Sequence, residues 1–266
     1  MNEPTPRTPV PPVPEDDWLD LWLIRPPKLE DAGLLDLSEL DAAEHRRAAS
    51  FIRPVDRVTY SSAHIGLRRL LGGYLDLAPQ EVAFTREPCP GCAEPHGRPA
   101  VAHPPAPVHF SLSHCRGLAM VGVAPVPVGV DVELRPRPRT VETVLPALHP
   151  GEQEELTAVP LEARLELFGR VWTRKEAYLK GLGTGLSRAP GLDYLGADPS
   201  RRPPGWTVLD VPGGPFRHAA VAVVGTEPAT TTVRWLPPEV LYADGAARLP
   251  ELGHVRATAT RTPSAA

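Results

Sequence analysis

The chain is poor in cysteine, in lysine and in long apolar stretches. Three cysteines among 266 residues cannot build a disulfide scaffold, so a reducing cytoplasm is the expected compartment. No apolar run approaches the roughly 18–20 residues that cross a bilayer, so no membrane partner is expected. The opening Met1-Asn2-Glu3-Pro4 has neither the basic nor the apolar region of a signal peptide. A strong charge of one sign is missing too. The net charge is −4 and the isoelectric point is near 6.1, which argues against general nucleic-acid binding but allows a local basic patch around a phosphorylated ligand.

Lysine is the sharpest shortage. Lys28, Lys175 and Lys180 are three of 28 cationic side chains, leaving 28 − 3 = 25 arginines. A chain with this bias is expected to use arginine wherever any cation will serve, so two lysines in one short segment mark that segment for attention.

What is present is ordinary for a soluble globular protein: 42% hydrophobic and 23% charged residues. Proline is the exception, at 35 residues. Its crowding in residues 1–15 predicts a disordered or polyproline leader, and residues 253–266 read as a disordered tail.

Between those ends, Trp18 to Ile24 reads as a strand with apolar residues on both faces. Ser38 to about Phe51 reads as a helix, with Asp41 in a capping-box position, and Asp56 to Leu75 as a second helix with an apolar stripe. Arg47, Arg53, Arg57, Arg68 and Arg69 decorate these helices, as a solvated face or as a ligand patch. Val108–Ser113, Leu118–Ala124 and Val128–Leu134 alternate as strands, and Glu162 to Leu182 fits a long amphipathic helix. Trp206–Val211, Ala219–Val224 and Thr230–Leu236 are further strands. Helices mixed with hairpin-connected strands predict an α+β fold. The layout divides near Pro125–Pro127 into a half over 16–127 and a half over 128–252.

Four clusters could carry chemistry. In Gly129-Val130-Asp131-Val132-Glu133, the two carboxylates project from one face of a strand while Val130, Val132 and Leu134 face a core. Paired carboxylates suit a hard divalent cation such as Mg²⁺, and a wet acidic strand face explains them equally well. Trp172, Glu176 and Lys180 share one helical stripe at i, i+4, i+8. The Glu–Lys pair is either surface decoration or part of a metal and phosphate site. Ser113-His114 enters a turn, where hydroxyl and imidazole could donate to phosphate. The absence of a Gly-x-Ser-x-Gly elbow argues against a hydrolase triad. Cys89-Pro90-Gly91-Cys92 with His96 supplies part of a zinc set, with His103 or Cys115 needed as fourth ligand. Two ordinary thiols in a tight loop are the simpler account.

Gly97-Arg98-Pro99, Phe110-Ser111-Leu112-Ser113-His114, Gly129-Val130-Asp131-Val132-Glu133 and Trp172-x-x-Lys175-Glu176-Ala177-x-x-x-Lys180 occur in this order and spacing. Together they resemble the Sfp-type 4′-phosphopantetheinyl transferases over roughly Trp18 to Leu236. The resemblance implies two similar α+β halves in one monomer, related by a pseudo-two-fold, with coenzyme A and Mg²⁺ in the cleft between them. It implies transfer of phosphopantetheine from CoA to a serine of an apo acyl or peptidyl carrier protein, releasing adenosine 3′,5′-bisphosphate. By resemblance Asp131, Glu133 and Glu176 hold the metal, Glu176 helps deprotonate the serine, and Lys180 neutralises phosphate. Ser113, His114 and Arg98 contact the CoA phosphates, with Arg47 and Arg57 as further CoA-binding cations assigned by position. Two other classes compete. A Mg²⁺-dependent phosphodiesterase would use the same carboxylates with water as nucleophile. A zinc-loop binding module would leave both acidic motifs unexplained.

Overall fold

A strand that is apolar on both faces must be covered on both, and β1 (Trp18–Ile24) is. In the computed structural model, which describes residues 17–102, 108–245, 249–250 and 252, Trp18, Trp22 and Ile24 pack into one core while Leu19, Leu21 and Leu23 pack into another. The leader 1–15, the tail 253–266 and His103 lie outside the described residues.

After β1 come α1 (Ala42–Ala49) and α2 (Pro54–Leu75), then a small hairpin of β2 (Phe84–Arg86) and β3 (Pro99–Val101). β4 (His109–Cys115), β5 (Leu118–Ala124) and β6 (Val128–Leu134) follow. The helices α3 (Pro138–Val144), α4 (Pro150–Thr157) and α5 (Leu161–Leu182) precede β7 (Trp206–Asp210), β8 (Arg217–Val224) and β9 (Thr230–Leu236). One sheet has the order β4-β5-β1-β9 and the other β6-β8-β7. All neighbours are antiparallel except β1 and β9, which run parallel from Trp18↔Thr230 to Ile24↔Leu236.

The fold is α+β in four layers. The first core joins α2, through Leu67, Leu70, Leu71 and Tyr74, to the outer face of the first sheet. The second core lies between the sheets, with Leu118 and Met120 of β5 against Val128, Val130 and Val132 of β6. The third packs Ala177, Tyr178 and Leu179 of α5 on Val208, Ala220 and Ala222 of the second sheet. Each sheet thus carries one helix of 22 residues. Residue 127/128 separates the sheets with one exception: β9 returns from the C-terminal segment to extend the N-terminal sheet.

Several local expectations shift. Asp41 is itself the N-cap of α1, its side chain accepting from the amides of Ala43 and Glu44 while Glu44 answers to the Asp41 amide. The helix therefore starts four residues later than Ser38, which sits in a short turn closed by Asp36. Pro54 opens α2 at N1, where a missing N–H costs nothing. The same chemistry opens α3 with Pro138 and α4 with Pro150, two helices that the proline-rich sequence hides. Arg68 and Arg69 are not a solvated face. Both are 2% exposed, Arg68 paired with Glu44 at 2.7 Å and Arg69 with Glu39 at 2.8 Å. Leu134, expected in the core, is 42% exposed because β6 runs past its covering layer there.

Gly129 sets how closely β6 lies on α5. A Cβ there would collide with the Ala177 carbonyl and the Gly181 amide, both backbone atoms that cannot rotate away. Gly129→Ala should therefore destabilise by about 1–3 kcal/mol or more, read from denaturant melts. A neutral substitution would mean that the strand and helix are not in register as described.

Candidate active site

The two sheets are stitched where β4 faces β6. Ser111 Oγ accepts the Val130 N–H at 3.0 Å and Ser113 Oγ accepts the Val132 N–H at 3.3 Å. Ser113 donates its one proton to Asp131 Oδ1 at 2.9 Å. Lys180 reaches across from α5, its Nζ 2.7 Å from the same Oδ1, 3.0 Å from Ser113 Oγ and 3.2 Å from the Val130 carbonyl. Ser113 is thereby saturated: it orients Asp131 instead of standing free for a phosphate. Lys180 pairs with Asp131 across the fold rather than with Glu176 along its own helix.

Asp131 is 2% exposed, and its second oxygen, Oδ2, is buried with no hydrogen-bond partner among the described residues. An orphaned carboxylate oxygen of this kind costs on the order of 1–3 kcal/mol or more and calls for a missing cation or donor. Glu133 and Glu176 flank it. Glu133 is exposed at the end of β6, and partial burial among its neighbours, then the Asp131 charge, push its carboxyl up to about 7, against the pull of Lys180. The same causes in the same order raise Glu176. Three hard oxygen donors, mutually repelling and short of positive charge, fit a divalent cation such as Mg²⁺. Their oxygens have not converged. Among the described residues, Cys89, Cys92 and His96 are the one group of three whose ligand atoms all lie within 4.8 Å of one another.

A cleft of about 810 Å³ opens on the other side of Lys180, walled by α1, α2, the β2–β3 loop, β4 and the end of α5. Its cationic and imidazole groups are Lys180, Arg98, Arg86, His64, His96 and His114, with Asp41 and Glu44 as its acidic ones. Burial first, then the positive neighbours His64, Lys180 and Arg47, hold the His114 pKa below the ordinary imidazole value. Arg98 is committed to the scaffold: its guanidinium donates to Glu87 at 2.6 and 3.0 Å and to the Gly181 carbonyl at 2.7 Å, fixing the β2–β3 loop to the end of α5. Arg47 is exposed and lies over the Phe51 ring. Arg57 donates to the Phe51 carbonyl at 3.3 Å, and neither arginine is among the cleft walls. Trp172, half-buried, stacks on Phe168 and roots the stripe that carries Glu176 and Lys180.

His64 and Arg86 belong to no motif and are brought to the cleft only by folding. His64 rides one turn beyond Tyr60 on α2 and is held by Glu44 at 2.8 Å, a helical spacing visible in the sequence once the helix is known. Lys175 is the other surprise. It is 1% exposed, paired with Glu152 of α4 at 2.9 Å and donating to the Asp193 carbonyl at 2.7 Å.

A cationic cleft ending at a lysine-clamped, carboxylate-rich corner has the composition of an enzyme centre that handles phosphorylated substrates. Comparison with known proteins gives the family. The sequence model of the 4′-phosphopantetheinyl transferase superfamily matches residues 127–219, the span from β6 through α5 into β8. The chain is 32% identical over 218 residues to the 4′-phosphopantetheinyl transferase HetI of Nostoc sp., an alignment covering 79% of this chain and 89% of that protein. It is 30% identical over 159 residues to a putative 4′-phosphopantetheinyl transferase of Synechocystis sp., covering 56% of this chain and 58% of the other. The chain belongs to the 4′-phosphopantetheinyl transferase superfamily and is a transferase of that kind.

Proposed function

We propose that this enzyme moves 4′-phosphopantetheine from coenzyme A to a serine hydroxyl of an apo acyl or peptidyl carrier protein, with Mg²⁺, and releases adenosine 3′,5′-bisphosphate. The observation that carries the reading is the unpartnered Oδ2 of Asp131, on a carboxylate pinned through its other oxygen by Ser113 and Lys180. Asp131, Glu133 and Glu176 would hold the metal, which when bound neutralises pyrophosphate oxygens and stabilises charge developing on them.

The chain's own residues supply the rest. Glu176, on the helical stripe that also carries Lys180, would accept the proton of the carrier serine, directly or through water. Lys180, 31% exposed, lies between Asp131 and the cleft, so its ammonium can meet a phosphate oxygen without leaving its carboxylate partner. His114, with Arg47 nearby, faces the cationic end suited to the nucleotide phosphates. Arg98 shapes the wall, and Arg57 is the most peripheral of the CoA-binding candidates. No helix among the described residues is long and apolar enough to cross a membrane, and a cytoplasmic carrier protein is the partner this reading needs.

Two outcomes test the chemistry. Lysine meets phosphate as a compact point charge, whereas guanidinium is a broad planar fork. Lys180→Arg should therefore cost substantial turnover, and Lys180→Ala more, with CoA affinity falling less than the rate. Full activity in the arginine variant would leave Lys180 only the structural role of pairing with Asp131.

The metal assignment has a readout independent of activity. In metal-free protein, the stability contributed by protonated Glu133 is present below about 4.5 and is lost as pH rises through about 7, because the fold raises its pKa. Added Mg²⁺ should raise the melting temperature more at pH 8 than at pH 5. An equal effect at both pH values would contradict this metal site. If CoA is consumed equally with and without apo carrier protein, the enzyme is a phosphodiesterase instead.

A further inference from the structure

The β2–β3 loop has almost nothing apolar to hold it. From Pro88 to His96 the one aliphatic side chain apart from the prolines is that of Ala93, and every residue but Cys89 is exposed. Yet the backbone is tightly wound. The Cys89 amide donates to the Glu94 carbonyl at 2.8 Å, the Ala93 amide returns to the Cys89 carbonyl at 2.8 Å, and the His96 amide donates to the Glu94 carbonyl at 2.8 Å. Ala93 sits at φ +62°, a conformation that costs a residue bearing a Cβ roughly 1–2 kcal/mol and persists only where its surroundings enforce it.

This winding gathers two sulfurs and an imidazole. Cys89, Cys92 and His96 each bring a ligand atom within 4.8 Å of the others, and Cys92 Sγ lies 2.9 Å from His96 Nε2. Around tetrahedral Zn²⁺, with bonds of about 2.0–2.3 Å, such atoms stand about 3.5–3.8 Å apart, so small side-chain rotations close the site. The amides of Gly91 and Cys92 are aimed at the Cys89 sulfur, the kind of outer hydrogen bonding that supports a metal-bound thiolate. Cys115 lies apart on β4 and is not in the group.

We propose that Cys89, Cys92 and His96 bind one Zn²⁺, with solvent in the fourth position, and that this ion staples the loop that forms one wall of the cleft. Two thiols hydrogen-bonded to one another and to the imidazole are the competing account, and the metal content of the purified protein decides between them. Thiolate and imidazole ligands select zinc over magnesium, so this site and the carboxylate corner take different metals. Binding releases the two thiol protons, leaving a neutral Zn²⁺–dithiolate centre. Immediately after His96, Gly97 lies buried against the Glu87 carbonyl, and Arg98 reaches the Gly181 carbonyl. The staple therefore holds the wall in place from outside the reacting groups. This inference does not depend on the transfer chemistry proposed above.

The test uses the full chain purified under reducing conditions with zinc supplied, then freed of loosely bound metal by gel filtration. We expect one zinc per chain in the unmodified protein and in Cys115→Ser, and loss of that zinc in Cys92→Ser and His96→Ala. Both of those side chains are exposed, so the variants should fold; Cys89→Ser, at a buried position, is the harsher case. Cobalt(II) added to metal-stripped protein should give thiolate charge-transfer absorption that Cys92→Ser weakens and excess Mg²⁺ leaves unchanged. Zinc well below one equivalent in the unmodified protein, or unchanged zinc in a folded Cys92→Ser variant, would overturn the proposal.

Discussion

Asp131→Asn should lower carrier-dependent turnover by at least about two to three decades while leaving the protein folded. The substitution keeps the side chain's shape and can still accept from Ser113, but it removes the negative charge that positions Lys180 at 2.7 Å and the anionic oxygen otherwise free for a metal. Loss of one preorganised electrostatic contact at developing charge is typically worth about 2.7–4 kcal/mol. Stability should move the other way or barely change, because the Asp131 charge raises the carboxyl pKa values of both Glu133 and Glu176. Val132, the next residue, points into the core between the sheets and is 1% exposed. Val132→Ala should cost about 0.5–3 kcal/mol of stability with a much smaller effect on rate. Thermal melts and turnover on the two variants separate the faces of β6. If both substitutions change rate and stability alike, the division of that strand into a chemical and a structural face is wrong.

Lys175→Ala should destabilise the fold by about 3–5 kcal/mol, more than Val132→Ala. It leaves Glu152, which is fully buried, without the ammonium at 2.9 Å, and an uncompensated buried charge is what makes breaking such pairs costly. Glu152 would keep only the amides of Leu195 and His149, the first of which also ties α4 to the turn after α5. The double variant Lys175→Met with Glu152→Gln should recover much of the loss, since no buried charge remains. Denaturant midpoints decide this. A single variant within about 1 kcal/mol of the unmodified protein would show that the pair is not buried in solution.

These two lysines show how unevenly the site can be read from sequence. The shortage of lysine and the strand alternation are enough to single out Lys180 and to place Asp131 and Glu133 together on one face. Both features are local, with periods of two or four residues. That Lys180 clamps Asp131, 49 residues away, depends on α5 crossing β6 at Gly129, a contact that no local spacing contains. Lys175 stands in the same motif, but its partner Glu152 lies on a helix concealed among prolines, so its structural role is invisible in the sequence. The same holds for the fold. β1 and β9 are both legible as strands, yet their parallel pairing joins distant parts of the chain and has no signature in either segment. The arginines are the least legible, because an amphipathic pattern cannot distinguish a solvated guanidinium from one that Glu44 or Glu39 takes inside. The Cys-x-x-Cys loop shows the reverse case. Its spacing permits a zinc site, and the backbone winding turns a permitted site into a convergent one.

The transfer reaction itself can be tested by mass spectrometry of an apo acyl or peptidyl carrier protein incubated with this enzyme, CoA and Mg²⁺. The account predicts a gain of one phosphopantetheine on the carrier's serine, matched by release of adenosine 3′,5′-bisphosphate, with the initial rate of both at least about two decades lower when Asp131→Asn replaces the unmodified enzyme. CoA breakdown without modification of the carrier, or modification by Asp131→Asn at the unmodified enzyme's rate, would contradict it.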